Sequence, residues 1–278
     1  ITESLLHHSG ATTSMGSVDK GSAITDDLAM EQRRGISIKA SFVNFSWNNT
    51  LFQLVDTPGH IDFAAEVDRS LSILDAVILV VSAKEGVQAH TINLWESLVE
   101  RKLPVVVFFN KIDRDGVDID QVFLDFKKDL GAKLFALNYP DLSNPQSPEL
   151  VEFTNCENYI DSTIIDKSLE NLADCDESFL DQYLDGEITK LNPVLEKGKH
   201  HIKSGGLYPA LFGSAKLNMG IIDLLNCISS LLPKYQSEYS TKVAKVFKVS
   251  FHEKKGRLAY IKSYGSILKG KDLVRSQQ

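Results

Sequence analysis

The sequence predicts an α/β protein built on a doubly wound, mostly parallel sheet, followed by a short segment of strands. Three observations carry this. Apolar runs rich in Val, Ile and Phe occupy residues 51–55, 76–81 and 105–109 without strict alternation, the pattern of strands covered on both faces. Stretches of helical periodicity alternate with them across short connections, which is how a parallel sheet with helices on both sides reads. Beyond a polar stretch at residues 234–242, the pattern changes to two consecutive strands joined by a tight turn.

Each element has its own justification. Residues 1–9 read as a helix, with Leu5 and Leu6 as its apolar side and Gly10 as its stop. Phe63, Val67, Leu71 and Leu74 fall at helical spacing after the first run, and Ile92, Leu94, Leu98 and Val99 suggest a helix after the second. Ile119, Val122, Phe123, Phe126 and Leu130 form the clearest stripe, at i, i+3, i+4, i+7 and i+11. Residues 207–212 resume strand character. Ile221, Ile222, Leu225, Ile228 and Leu232 mark a closing helix that Pro233 stops. Residues 243–251 and 258–264 are the last two strands, with a turn at Lys254, Lys255 and Gly256. The expected organisation is a sheet domain over 1–233, a linker over 234–242 and a further, strand-built unit over 243–278. Residues 141–187 hold thirteen acids and one lysine, so the stretch of about 141–200 reads as an acidic insertion outside the sheet core.

The chain has 278 residues, 43% hydrophobic and 24% charged, an ordinary globular composition that argues against disorder or a fibrous repeat. No apolar run approaches the roughly 18 residues of a membrane span, and no signal-peptide pattern opens the sequence, so no membrane partner is expected. Cys156, Cys175 and Cys227 lie far apart without CxxC spacing. Neither a disulfide framework nor a zinc site is expected from them, and a reducing cytoplasm is. The net charge of −7 is unevenly divided: residues 241–278 carry ten Lys/Arg and two acids, leaving −15 for the remainder. A basic end segment suits a phosphate backbone, and a solvated lysine-rich strand surface accounts for it equally well.

The chemistry lies in loops at the ends of expected strands, where ligands of parallel sheets bind. Asp56-Thr57-Pro58-Gly59-His60 follows the first run. An aspartate there can hold Mg²⁺ through water, Gly59 can offer its backbone N–H to a γ-phosphate, and His60 can orient an attacking water. A turn in which Pro58 and Gly59 only reverse the chain is the alternative. Asn110-Lys111-Ile112-Asp113 follows the third run, and its pattern fits guanine. A carboxylate at Asp113 accepts from N1–H and the N2 amine of guanine, whereas adenine presents an acceptor at N1 and no amine. A site built on such hydrogen bonds rejects the wrong base by about 10⁴. Asn110 would tie the surrounding loops together and touch the base, while the stem of Lys111 covers its face. Gly213-Ser214-Ala215-Lys216 follows residues 207–212, and a backbone N–H there can meet the guanine O6. Upstream, Ser37 within EQRRGISI offers a hydroxyl for Mg²⁺, or belongs to an ordinary surface loop. Each motif is short, but their order at successive strand ends is that of one site for GTP or GDP with Mg²⁺.

The usual phosphate cradle, G-x-x-x-x-G-K-[ST], does not occur in the 278 residues. The sequence is expected to begin just past that loop and its strand, residues 1–9 being the helix that follows. These residues alone are therefore expected to bind GTP weakly or not at all.

Together, RRGISI, DTPGH, NKID and GSAK resemble the translational GTPases related to elongation factor G. TESLLHHSGA, GSVDKGSAITDD, SFVNFSWNNT, AEVDRSLSILDAVILVVSAKEGVQAHT and RLAYIKSYGSILKGKDLVR are similar to the tetracycline ribosomal protection proteins in particular. The resemblance implies a P-loop-type G domain, with residues 243–278 as the N-terminal part of a β-barrel second domain. It makes Asp56 the Mg²⁺-linked aspartate, Gly59 the γ-phosphate sensor and His60 the catalytic residue that positions water. It also makes Asn110, Lys111 and Asp113 the guanine-reading motif, completed by Ser214, Ala215 and Lys216. Ser37 stands where threonine is usual; it keeps the hydroxyl for Mg²⁺ and loses the methyl. The resemblance further implies a monomeric, cytoplasmic GTPase that contacts ribosomal RNA and proteins and releases tetracycline. An elongation-factor-like translocase and a non-catalytic truncated paralogue are the alternatives.

Overall fold

The computed structural model describes residues 1–13, 16, 37–141, 143, 148–160, 162–186, 188, 190–234, 243–252 and 256–265. Glu31 to Ile36 of the RRGISI segment, nearly all of GSVDKG, the linker at 235–242, Lys254 and Lys255 of the expected turn, and residues 266–278 lie outside the described residues.

Helix α1 (Thr2–His8) buries Leu5 and Leu6 as the sequence implies. Strands β1 (Ser41–Trp47) and β2 (Thr50–Asp56) form an antiparallel hairpin. Its two-residue turn, Asn48-Asn49, has both φ values positive, 46° and 58°, the conformation in which asparagine is favoured and which matches strand twist. A single 3-10 turn (Ile61–Phe63) and α2 (Ala64–Leu71) lead to β3 (Val77–Ser82). Next come α3 (Ala89–Glu100), β4 (Val105–Asn110), α4 (Ile119–Leu130) and β5 (Leu134–Ala136). A small antiparallel pair, β6 (Asn138–Asp141) and β7 (Glu149–Glu152), precedes α5 (Thr163–Ala173), α6 (Glu177–Leu184) and α7 (Leu191–Ser204). The chain returns to the sheet as β8 (Tyr208–Phe212), closes with α8 (Ile221–Ser230), and ends in the hairpin β9 (Ala244–His252) and β10 (Gly256–Ser263).

The central sheet has the order β3-β4-β8-β5 and every pairing in it is parallel. Both faces are covered. Alternation along β4 sends Val106 and Phe108 to one face, with Leu5, Ile165, Leu191 and Leu224 from α1, α5, α7 and α8. It sends Val105, Val107 and Phe109 to the other, against Leu71, Leu98 and Phe126 of α2, α3 and α4. Residues Val106 to Phe109 are 0% exposed, so the apolar run with no alternation is correctly read as a strand covered twice.

Two expectations need correction. The run at 51–55 is not covered on both faces: among the described residues β2 pairs only with β1 and lies outside the four-stranded sheet, and Leu51 is 69% exposed. The acidic stretch does not stand outside the core. Ile165, Leu169, Leu172, Phe179, Leu191 and Val194 are all buried in it, while Asp174, Glu177, Asp181 and Asp185 face solvent. Helix α5 caps the free edge of β5 with side chains: Ser168 Oγ accepts from Ala136 N–H at 3.0 Å, and Asn171 Nδ2 donates to the Leu134 carbonyl at 2.9 Å. Polar residues on a buried face interrupt the apolar stripe, which is why periodicity alone missed this helix.

Candidate functional site

Because β3, β4 and β8 run parallel, their carboxyl ends open onto loops at the same end of the sheet. Strand β2 ends beside them. No ladder joins β2 to β3 among the described residues; a cleft of about 1440 Å³ lies there instead, walled by Leu54 and Val55 on one side and by Val77 to Val80 on the other. Its lining also includes Ser37, Asp56, Thr57, Pro58, Gly59 and Asn110, with Ile1 and Glu3 from the start of α1. Ser37, Asp56, Gly59 and Asn110, far apart in sequence, therefore line one cleft.

The other site residues divide into two groups. Asn110 joins the two guanine-type loops: its Oδ1 accepts from the Ala215 backbone N–H at 2.9 Å. The neighbouring backbones are tied as well, Ile112 N–H donating to Gly213 C=O at 3.3 Å and Gly213 N–H to Phe109 C=O at 2.9 Å. Lys111 sits at φ +67° and its Nζ pairs with Glu85 at 3.3 Å. Asp113 is half-buried, and its carboxylate has no partner among the described residues. In the last loop, Ser214 is buried and its Oγ accepts from Leu217 N–H, while its own N–H goes to Met219 C=O. With the Ala215 N–H taken by Asn110, only the Lys216 N–H of these three has no acceptor among the described residues.

His60 is not brought to the cleft. It caps the 3-10 turn, its Nδ1 3.3 Å from the Asp62 N–H and 3.4 Å from the Asp62 carboxylate, with 51% of the side chain exposed. Gly59 is open: a Cβ built there meets nothing within 4 Å and its φ is not positive. No packing demands a glycine at this position, whereas at Gly213 a Cβ would lie 2.4 Å from Met219 O and 2.6 Å from Phe108 Cζ. The first glycine leaves a backbone amide approachable, and the second lets the loop pack.

Sequence reasoning missed the loop after β3. Lys84 Nζ donates to the carbonyls of Asp115 at 2.7 Å and Gly116 at 3.1 Å, and Glu85 fixes Lys111, so this loop braces the one that holds Asp113. Its place at a further strand end was the available signal. Ser4 of α1 adds a second brace, Oγ to the Ala215 carbonyl at 3.3 Å.

The donor set fits Mg²⁺ with a guanine nucleotide: a hydroxyl (Ser37) and a carboxylate (Asp56) line the same cleft, and a carboxylate (Asp113) and an amide (Lys216) without partners among the described residues lie in the guanine-type loops. Among the described residues no cluster of three His, Cys, Asp or Glu that could hold a metal ion is present.

A doubly covered parallel sheet with loops gathered at its carboxyl ends is the frame of a nucleotide-binding type of α/β domain. The family model of the elongation factor Tu GTP binding domain matches residues 1–234, and the chain belongs to that family. Among curated proteins it is 39% identical over 278 residues to the tetracycline resistance protein TetM from transposon Tn5251 of Streptococcus pneumoniae, covering 99% of this chain and 41% of that protein. It is 37% identical over 284 residues to the tetracycline resistance protein TetP of Clostridium perfringens, covering 99% and 42%. A crystal structure of a Thermus thermophilus protein superposes with a TM-score of 0.79 at 27% identity, over 98% of this chain and 44% of that one. The chain thus spans less than half the length of the relatives it matches. No helix among the described residues is long and apolar enough to cross a membrane.

Proposed function

We propose that this chain is the nucleotide-binding part of a GTPase that acts on the ribosome and protects it from tetracycline. The observation that carries the nucleotide half is the Asn110–Ala215 hydrogen bond, which holds two guanine-type loops together beside an unpaired Asp113. The tetracycline half rests on the similarity to TetM and TetP across 99% of the chain.

In this reading Asp113 accepts from guanine N1–H and the N2 amine, the Lys111 stem lies over the base, and Lys216 N–H meets O6. Ser214 and Ala215 shape the pocket from behind, their amides being used within the protein. Ser37 and Asp56 would hold Mg²⁺, which supplies charge neutralisation to the phosphates. The Gly59 N–H faces the γ-phosphate. His60, engaged with its own turn, turns towards the attacking water when the ribosome orders the loop, so turnover is slow without ribosomes. The basic end of the chain faces ribosomal RNA with those lysines not paired inside the molecule. Replacing His60 with Ala in the full-length protein should abolish ribosome-stimulated GTP hydrolysis and spare GDP binding; unchanged turnover removes the role given to His60.

A further inference from the structure

The lysines of the terminal hairpin converge on α2, and one acidic side chain holds the junction. Glu66 lies in the first turn of α2, six residues past His60, and only 14% of its side chain is exposed. One oxygen takes Lys248 Nζ of β9 at 2.6 Å, and the other takes Arg69 at 2.7 Å. The backbone N–H of Ala40, just before β1 and three residues past Ser37, donates to the same carboxylate. Burial pushes the Glu66 carboxyl up, yet the hydrogen bonds from Lys248 and Arg69 outweigh it and leave it below its ordinary value. Around this node, Lys245 Nζ donates to the Ser72 carbonyl at 3.2 Å. Lys262 Nζ donates to the Ile73 carbonyl at 2.7 Å and pairs with Asp75. These are the carbonyls at the C-terminal end of α2, where the helix dipole favours cations. Phe42 of β1 packs against Phe247 and Tyr260 of the hairpin at 5.6 and 5.9 Å.

Three of the ten basic residues in the end segment are thus spent on α2 rather than on solvent. Helix α2 follows the Asp56–His60 loop after one 3-10 turn, and Ala40 follows the Ser37 segment, so Glu66 ties together both segments that would face the γ-phosphate and anchors them to the hairpin. We propose that Glu66 is a positioning residue for GTP hydrolysis, with Lys248 as its counterpart: the pair fixes α2 against the hairpin and so sets where Gly59 and His60 stand. This rests on the reading of the Asp56–His60 loop given above.

The test is a double-mutant cycle in the full-length protein, with Glu66→Gln, Lys248→Met and the two combined, plus Lys248→Arg. Ribosome-stimulated kcat and KM for GTP, GDP affinity and Tm are measured for each. Either single change should lower kcat about tenfold while GDP affinity stays within about twofold of wild type. The double variant should be no worse than the worse single one, because one tie has been cut twice, and Lys248→Arg should keep most of the rate. Unchanged kcat in both singles, losses that multiply in the double variant, or GDP affinity falling in step with kcat would each overturn the proposal. The underlying loop reading fails by a separate result, unchanged turnover in His60→Ala, which the cycle itself does not produce.

Discussion

Two glycines in candidate ligand loops should respond oppositely to the same substitution. At Gly213, a methyl group would stand 2.4 Å from Met219 O and 2.6 Å from Phe108 Cζ, against an ordinary contact of about 3.5 Å. Roughly 1 Å of movement is needed, and neither neighbour can supply it cheaply. Phe108 is 0% exposed, and Met219 is fixed by reciprocal backbone hydrogen bonds to Ser214 of 3.1 and 2.9 Å. Overpacking of this kind costs about 1–3 kcal/mol, so Gly213→Ala should lower Tm by about 2–12 °C. The displaced loop also carries Ala215 away from Asn110, so GDP affinity should fall with it. Gly59→Ala meets no atom within 4 Å and should stay within about 0.5 kcal/mol of wild type. Its effect should appear in GTP hydrolysis, where the methyl crowds the approach to the backbone N–H. Thermal melts and single-turnover hydrolysis on both variants decide the matter. Equal Tm shifts, or no shift in Gly213→Ala, would refute the assignment of one glycine to packing and the other to ligand.

Other consequences concern the supports of the site. Asn138 is 1% exposed and serves both backbone groups of Phe212, its Oδ1 accepting from the N–H at 2.8 Å and its Nδ2 donating to the carbonyl at 3.2 Å. Asn138→Ala leaves both unmet and should cost about 2–4 kcal/mol in urea unfolding; a loss under about 0.5 kcal/mol would show that the strand finds other partners. Asp176 caps α6, and the Ser178 hydroxyl holds its carboxyl well below the usual carboxylate range. Burial acts in the opposite sense, and Lys197, His201 and the Phe179 N–H add to the lowering. Its stabilisation is complete above the unfolded value of about 3.9 and is lost as pH falls towards the depressed folded value. Asp176→Ala should therefore cost about 1–2 kcal/mol at pH 7, and the gap should close in acid. A gap that does not change with pH would contradict the charge argument.

What could be read in the sequence follows from how local each signal is. Run 105–109 became the most buried strand because nothing polar interrupts it. Run 51–55 has a similar composition, yet β2 lies outside the sheet, since apolar content does not say which neighbour a strand will have. The stripe Phe63, Val67, Leu71 and Leu74 suggested one helix; the chain instead makes a 3-10 turn, then α2, and leaves helical form before Leu74. The strand-end motifs supply Asn110, Asp56 and Gly59, which line one cleft in the structure. That Asn110 ties loops together was legible, but its partner, Ala215 across 105 positions, and the tie of Glu66 to Lys248 across 182 were not, because they join residues far apart. The charge imbalance of the end segment was visible, but that some of its lysines answer acids and carbonyls of α2 was not.

The central claim, that this site reads guanine through Asp113, is tested most directly by exchanging its carboxylate for an amide. Affinities of the full-length protein for GDP and for xanthosine diphosphate should be measured in wild type and in Asp113→Asn. Xanthine keeps N1–H but replaces the amine with a carbonyl, which a carboxylate repels and an amide N–H can satisfy. Each hydrogen bond to a charged group contributes about 1.5–3 kcal/mol. Losing the one bond to the amine should thus make wild type prefer GDP by roughly 10–10² at least, and Asp113→Asn should reverse the preference. If the substitution weakens both nucleotides alike, or leaves GDP preferred, Asp113 does not read the base and the guanine site lies elsewhere.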